Sequence, residues 1–275
     1  MLATDLRDVL EARGEQVSPV DLGDLDLLDE AAVSQAVSEH DVVVNCAAWT
    51  AVDEAETQEG TAFLINAVAP GLIARAAELH GALVVQISTD YVFSGEARLP
   101  YAEGAAPGPR SAYGRTKLAG EWAVRAEAPT QHLILRTAWL YGAHGNCFPR
   151  TIARVAGERD SLSVVDDQSG QPTWTRDLAL LLVRLVGAGA RGTRHATSGG
   201  ATTWHEFARE VVTAGGLSPD MVRPTDSATF ERPAPRPAYS VLGHDRLQDD
   251  GIAPIGDWRE RWRAAASEVL ALDQL

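Results

Sequence analysis

Three short runs set the architecture: Asp41-Val-Val-Val-Asn-Cys-Ala-Ala48, Ala82-Leu-Val-Val-Gln-Ile-Ser88 and, within Gln131–Thr137, His132-Leu-Ile-Leu-Arg136. Each is mostly apolar at consecutive positions rather than at alternate ones, the pattern of strands buried on both faces. Stretches of helical character separate them, roughly Thr57–His80 (which Pro70 kinks or restarts) and Ser111–Ala126. Strands of this kind need helices on both sides. The alternation therefore predicts an α/β fold: a Rossmann-type, doubly wound parallel sheet.

The remaining segments fill out that plan. Apolar residues at Leu2, Leu6, Val9 and Leu10 predict a helix over Met1–Arg13, which Gly14 ends. Gln16–Leu22 reads as a short strand ending in Asp21, Glu30–Glu39 as a helix, and Val92–Arg110, rich in Gly and Pro, as a loop. Beyond Cys147 the alternation loosens. Helices are predicted at Phe148–Glu158, Arg176–Val186, Thr203–Ala214 and near Trp258–Leu270, with Thr203-Trp-His-Glu206 as a capping box. Pro219–Pro237 holds five prolines and reads as an irregular, ligand-facing segment. The chain of 275 residues divides as a dinucleotide-binding domain, 1–147, and a smaller C-terminal substrate-binding domain, 148–275, some of whose elements return to the first.

A formal charge of −14 argues against nucleic acid or an anionic membrane as partner, though local amides or arginines can still bind a small anion. No run of about 18 apolar residues suggests a membrane span, and no basic stretch with an apolar core suggests a secretory leader, so the expected compartment is the cytoplasm. Cys46 and Cys147 make neither a disulfide framework nor a metal-ligand cluster, and no metal site is expected.

The chemistry is carried by Tyr113-Gly-Arg-Thr-Lys117. At i and i+4 on a helix, the phenol and the ammonium share one face. A neighbouring cation favours the phenolate and is expected to lower the tyrosine pKa towards a useful range. The chain has 23 arginines and one lysine, Lys117. A compact ammonium with three rotatable donors suits this role better than a planar guanidinium. The plain alternative is a surface pair on one helix. With five tyrosines in 275 positions, a chance match to the single lysine is roughly a one-in-fifty event. Ser88-Thr89-Asp90-Tyr91-Val92-Phe93 ends a buried strand, where open α/β sheets bind ligands, and the Thr89 hydroxyl can bond a carbonyl oxygen becoming an alkoxide. Asn45-Cys-Ala-Ala-Trp-Thr50 ends another, where Ala47 and Ala48 let a flat cofactor approach and Thr50 offers a hydroxyl. Asp21 is either an acid for the adenosine ribose or an ordinary turn residue.

Together these segments resemble the extended short-chain dehydrogenase/reductases, and within them the dTDP-4-dehydrorhamnose reductase family. The likeness runs over nearly the whole chain. It includes Ala51-Val-Asp-Glu-Ala-Glu56, Tyr113-Gly-Arg-Thr-Lys-Leu-Ala-Gly-Glu121, Arg136-Thr-Ala-Trp-Leu-Tyr141, Asp167-Gln-Ser-Gly-Gln-Pro-Thr173, Thr202-Thr-Trp-His-Glu206 and Arg236-Pro-Ala-Tyr-Ser240. The resemblance implies reduction, by NADPH or NADH, of the 4-keto group of a dTDP-4-keto-6-deoxyhexose. Tyr113 would protonate the keto oxygen, and Lys117 would hold the nicotinamide ribose and lower the tyrosine pKa. Thr89 would tune tyrosine and carbonyl, and with Asp90 would contact the sugar. Trp139 would pack on the sugar ring, with a core aromatic as its alternative. Asp26, Leu27, Ala47, Ala48 and Thr50 would contact the cofactor, and Asp21 leans towards NADH. Arg236 is expected, on charge grounds, to meet the nucleotide diphosphate. The resemblance also allows a homodimer.

Two departures stand out. Family members place a strand and a glycine-rich turn ahead of the segment matched by Met1-Leu-Ala-Thr-Asp-Leu6, and its amides hold the cofactor pyrophosphate. The expectation is that the chain as written binds the dinucleotide poorly and that its reading frame starts upstream. Trp49 stands where a smaller or more polar aromatic is usual. Two rivals remain: a non-catalytic subunit like the reductase-like regulatory subunit of methionine adenosyltransferase, and a nucleotide-sugar epimerase. The complete Thr-Tyr-Lys set argues against the first, and the Ser88–Phe93 and Arg136–Tyr141 segments against the second.

Overall fold

The computed structural model describes residues 1–21 and 23–270. The three apolar runs form the strands β1 (Val42–Asn45), β2 (Leu83–Thr89) and β3 (His132–Thr137), which pair in parallel with one another and with β8 (Gly192–His195), in the order β1-β2-β3-β8. Asn45 pairs with Gln86, and Thr89 with Thr137, so the carboxyl ends of the strands open on one side of the sheet. That side is where ligands bind in such sheets.

Neighbouring residues of a strand face opposite ways, and here both faces are covered. Val84 and Ile134 pack with Val33, Ile73, Ala77 and Val124 of α2 (Glu30–Val37), α5 (Ala69–His80) and α6 (Ala112–Glu127). Val85, Leu133 and Leu135 pack with Leu6, Leu182 and Leu247 of α1 (Leu2–Glu11), α8 (Thr175–Gly187) and α10 (Asp245–Asp249). The doubly wound sheet expected from the sequence is therefore present. The expected helix over Thr57–His80 is a compound one. It follows α3 (Val52–Ala55) and runs as α4 (Glu59–Phe63), a π-helical turn at Leu64–Val68, then α5. The irregular turn lies before Pro70, which enters the first turn of α5, where its missing N–H goes unneeded. By length and composition, Glu59–His80 could cross a membrane, with a mean hydropathy of 1.4, but 56% of that window is buried within the fold. It serves as a core helix against the sheet.

A second core gathers Tyr141, Trp174, Phe207, Val222, Trp258 and Trp262. It is enclosed by α7 (Phe148–Glu158), α9 (Trp204–Ala214), α11 (Trp258–Leu270) and the parallel pair β5 (Leu162–Val165) and β10 (Val222–Thr225). Two short pairs connect it to the first core, β4 (Leu140–Tyr141) with β7 (Thr173–Trp174) and β6 (Ser169–Gly170) with β9 (Thr202–Thr203). Thr203 caps α9 by accepting from the Glu206 amide at 3.1 Å, but the Glu206 carboxylate accepts from Thr202 instead of closing the box.

Two expectations fail. Gln16–Asp21 is not a strand, and Leu22 lies outside the described residues. The segment is mostly exposed and no described strand pairs with it, so extended backbone gains nothing there. Pro219–Pro237 is not wholly irregular, since it contains β10. Pro224 is tolerated because β10 pairs only with β5 and can leave its other side without a hydrogen-bonding partner.

Candidate active site

The helix α6 is held in place at its first turn. Its N-cap, Ser111, accepts from the Gly114 amide at 3.1 Å, and the Glu56 carboxylate accepts from the Ala112 amide at 2.7 Å. A carboxylate there satisfies an otherwise orphaned N–H and complements the helix dipole. Gly114 is required because a Cβ would collide with the Tyr91 carbonyl oxygen, and Gly120 because a Cβ would collide with that of Asn66. With both glycines in place, α6 lies close enough to the end of β2 for the side chains to meet. Lys117 Nζ donates to the Ile87 carbonyl at 2.7 Å, and the Tyr113 phenol lies near the Thr89 hydroxyl, which favours its ionised form. Thr89 donates in turn to Asp90 Oδ1 at 2.9 Å. Thr89, Tyr113 and Lys117 thus converge as the sequence suggested.

The electrostatics differ from the expected pattern. Burial pushes the Tyr113 phenol up to about 12; the nearby Thr89 hydroxyl opposes this and the Asp90 charge reinforces it. The expected lowering by Lys117 is not among the influences on Tyr113, because the ammonium is turned to the Ile87 carbonyl. Burial also draws Lys117 down to about 8, opposed by the negative charge of Glu121. Asp90, 2% exposed, is lifted by burial to about 6. The Ser240 hydroxyl near it favours the ionised form, although Asp90 Oδ2 and Ser240 Oγ stop short of a well-formed hydrogen bond.

On the side of β1, Asn45 donates to Gln86 and accepts from the Ala47 amide, which fixes the turn after the strand. Ala47 and Thr50 are exposed and Ala48 is half-buried. Asn66, in the π-helical turn, accepts from the Trp49 amide at 2.9 Å and donates to the Trp49 carbonyl at 3.2 Å and to Thr116 at 3.0 Å. It thereby ties this loop to α6. Lys117 uses one acceptor among the described residues, leaving donors for a bound ribose. The exposed small-residue turn and the free ammonium donors fit a nicotinamide nucleotide. Asp21 sits in an exposed turn whose amide is bonded to Asp24, not at a strand end. Asp26 accepts from the Leu28 amide, and Leu27 packs under α2 and α5.

On the opposite side, a cleft of about 200 Å³ opens beside Tyr91, lined by Ser94, Arg110 and Arg236. Arg236 donates to Asp53 at 2.8 Å, and Asp53 also accepts from the Ala234 amide. The Pro-rich segment is therefore anchored to α3 and does face the cleft. Trp139 is half-buried, with its ring stacked on Trp204 at 3.5 Å and against Gly170. It is the one non-glycine residue with positive φ, 48°, among the described residues. Strain of that kind persists only where surrounding packing enforces it.

Asp53, Glu56, Ser88, Glu121 and Arg136 lie within the motifs named above but carry no expected role there, and Asn66 lies outside those motifs. A polar Asn amid an apolar helix was the available signal for Asn66.

Comparison with known proteins identifies the family. The family profile described as RmlD substrate binding domain matches residues 1–271. A probable dTDP-4,6-dihydroxy-2-methyloxan-3-one 4-ketoreductase of Streptomyces antibioticus is 49% identical, with 99% of this chain and 94% of the relative covered. A dTDP-4-dehydrorhamnose reductase of Streptomyces griseus is 47% identical over 98% of this chain and 89% of its own. Among solved structures, a dTDP-4-dehydrorhamnose reductase of Clostridium acetobutylicum superposes with a TM-score of 0.93 at 41% identity, covering 100% and 96% of the two chains. That of Bacillus anthracis, in complex with NADP, gives 0.93 at 35% identity, covering 96% and 94%.

Proposed function

The chain belongs to the dTDP-4-dehydrorhamnose reductase family, and we propose that Thr89, Tyr113 and Lys117 carry its chemistry. It is an NAD(P)H-dependent oxidoreductase that reduces the 4-keto group of a dTDP-4-keto-6-deoxyhexose, for dTDP-L-rhamnose or related deoxysugar biosynthesis. Its cofactor is NADPH or NADH and its partner is the dTDP-sugar.

A reduced nicotinamide supplies the hydride for the keto carbon. The keto oxygen then needs a proton, which Tyr113 gives from its phenol. A phenol held near 12 keeps that proton until an alkoxide develops beside it. Lys117 holds the cofactor ribose through the donors that Ile87 does not use. Thr89, bonded to Asp90 and beside the phenol, orients both tyrosine and carbonyl. Ala47, Ala48 and Thr50 form the cofactor side, with Asp21, Asp26 and Leu27 at its adenosine end. Asp90 and Trp139 hold the sugar, and Arg236, at the cleft, meets the diphosphate. Residues 1–147 are the dinucleotide-binding domain and 148–275 mainly the substrate-binding domain, with α8 and β8 returning to the first core.

The observation that carries this reading is the convergence of Thr89, Tyr113 and Lys117 at the carboxyl ends of the strands. The test is Tyr113→Phe, which is expected to abolish ketoreduction while leaving dinucleotide binding largely intact. Turnover retained by that variant would overturn the role of Tyr113.

A further inference from the structure

Behind the proposed triad lies a charged cluster that no step of the reduction uses. Glu121 is 0% exposed and stands one turn after Lys117 on α6. Its Oε1 accepts from Ser88 Oγ at 2.6 Å and Arg136 Nε at 2.8 Å. Its Oε2 accepts from Arg136 Nη2 at 2.7 Å and Arg125 Nη2 at 2.9 Å. Arg136, 3% exposed, comes from β3 and pairs in register with Ser88 of β2. A buried ion pair contributes little net stability relative to a well-packed apolar pair, so retention of this one at the active-site helix calls for another reason.

The reason is visible in the spacing. Tyr113, Lys117 and Glu121 follow at i, i+4 and i+8, a single face of α6. Each has its tie to the end of β2: the Tyr113 phenol lies near the Thr89 hydroxyl, Lys117 donates to the Ile87 carbonyl and Glu121 accepts from Ser88. The first two ties belong to the residues proposed to do the chemistry. The third is the only one free of it, and Arg136 extends it to β3.

We propose that Glu121 is a positioning residue for the reduction: clamped by Arg136 and Ser88, it locks the helix carrying Tyr113 and Lys117 onto the strand carrying Thr89, and it fixes a negative charge one turn behind Lys117. The inference rests on the proposed triad. The charged and titratable groups around the cluster are few. Arg136 faces Glu121 from β3, Arg125 from α6 itself and His195 from β8, where burial lowers the imidazole to about 3 and leaves it neutral. Lys117 is faced by Glu121 and by the Cys46 thiol beyond β1, which burial raises to about 11 and so keeps uncharged. Among the described residues Glu121 is therefore the one ionised carboxylate acting on Lys117, and it opposes the loss of the ammonium proton that burial promotes.

The experiment compares the full chain with a neutral, volume-matched pair, Glu121→Leu with Arg136→Met, and with Ser88→Ala, reading the pH dependence of NADPH oxidation by a dTDP-4-keto-6-deoxyhexose. Removing both charges together avoids stranding either in the core. The pair is expected to unfold cooperatively like the parent, with kcat lower by about tenfold or more and KM for the sugar nucleotide within about twofold. Its basic limb should move to lower pH. Parental kcat and parental pH profile in the folded pair would overturn the proposal. Should the pair fail to fold, Ser88→Ala decides, because it cuts the tie to β2 without altering charge: lowered kcat at unchanged KM supports the proposal and parental kcat refutes it. Tyr113→Phe, run alongside, separates the two readings. If it still turns over, the triad is wrong; if it is inactive while the neutral pair is fully active, only the role of Glu121 falls.

Discussion

The carboxyl of Asp90 is buried at the end of β2, and burial lifts its pKa from 3.8 to about 6. At neutral pH the fold therefore encloses a charge that the unfolded chain leaves in water. A rise of roughly two pH units, at about 1.4 kcal/mol each, sets the penalty at about 3 kcal/mol. Asp90→Asn should remove most of it. The amide oxygen can still accept from Thr89 Oγ1, as Asp90 Oδ1 does at 2.9 Å, and the amide nitrogen can donate towards the Ser240 hydroxyl, which lacks a well-formed partner. The variant is expected to gain about 1–3 kcal/mol at pH 7 and several degrees in Tm, at roughly 2–4 °C per kcal/mol for a chain of this size. Because the folded pKa is raised, the penalty is absent below the unfolded value of 3.8, grows as pH rises towards 6 and is complete above it. The advantage of Asn must therefore shrink on acidification and vanish near pH 4. Urea or thermal unfolding of both proteins at pH 4 and pH 7 measures this directly. A variant less stable at pH 7, or one with the same gain at both pH values, would refute the reasoning. Turnover should fall, since a fold that tolerates a buried charge beside Thr89 does so at a place where activity, not stability, sets the residue.

Further outcomes follow from the same geometry. Gly120→Ala should lower stability by about 1–3 kcal/mol, read as a reduced urea midpoint, because its Cβ would meet the Asn66 carbonyl oxygen, which belongs to the backbone and cannot swing aside; an unchanged midpoint would contradict this. Arg236→Gln should weaken dTDP binding in calorimetry by about tenfold while leaving NADPH binding unaltered. Equal affinity for dTDP would remove Arg236 from the substrate side.

What could be read in the sequence was local. The buried strands announced themselves as consecutive apolar runs, and the Tyr113–Lys117 pair is a repeat within one helix. What was hidden depends on residues far apart in the chain. Asp53 meets Arg236 and Asn66 meets Thr116 only after folding, and no spacing rule connects them. The electrostatic expectation for Tyr113 failed for the same reason. Sequence shows a cation four residues away, whereas the packing that buries the phenol and turns that cation towards Ile87 is tertiary. Gln16–Asp21 has a pattern that suits a strand, but strands need neighbours and no described strand pairs with it.

The solitary lysine gains a structural meaning from its contrast with the arginines. Five of the protein's ion pairs are two-pronged guanidinium contacts: Arg75 with Glu127, Arg115 with Glu59, Arg136 with Glu121, Arg194 with Asp250 and Arg261 with Asp177. A planar fork serves such pairs well, because both prongs point the same way at one carboxylate. At position 117 the requirement is different. One donor must reach the Ile87 carbonyl inside the fold while others remain for a ligand, and three hydrogens on a single compact nitrogen provide for both. Burial also draws the ammonium down to about 8, a change an arginine would not undergo, so its charge depends on the carboxylate placed behind it. An arginine-rich chain thus keeps its one lysine at the site where a compact cation, held on one side and open on the other, is what the chemistry demands.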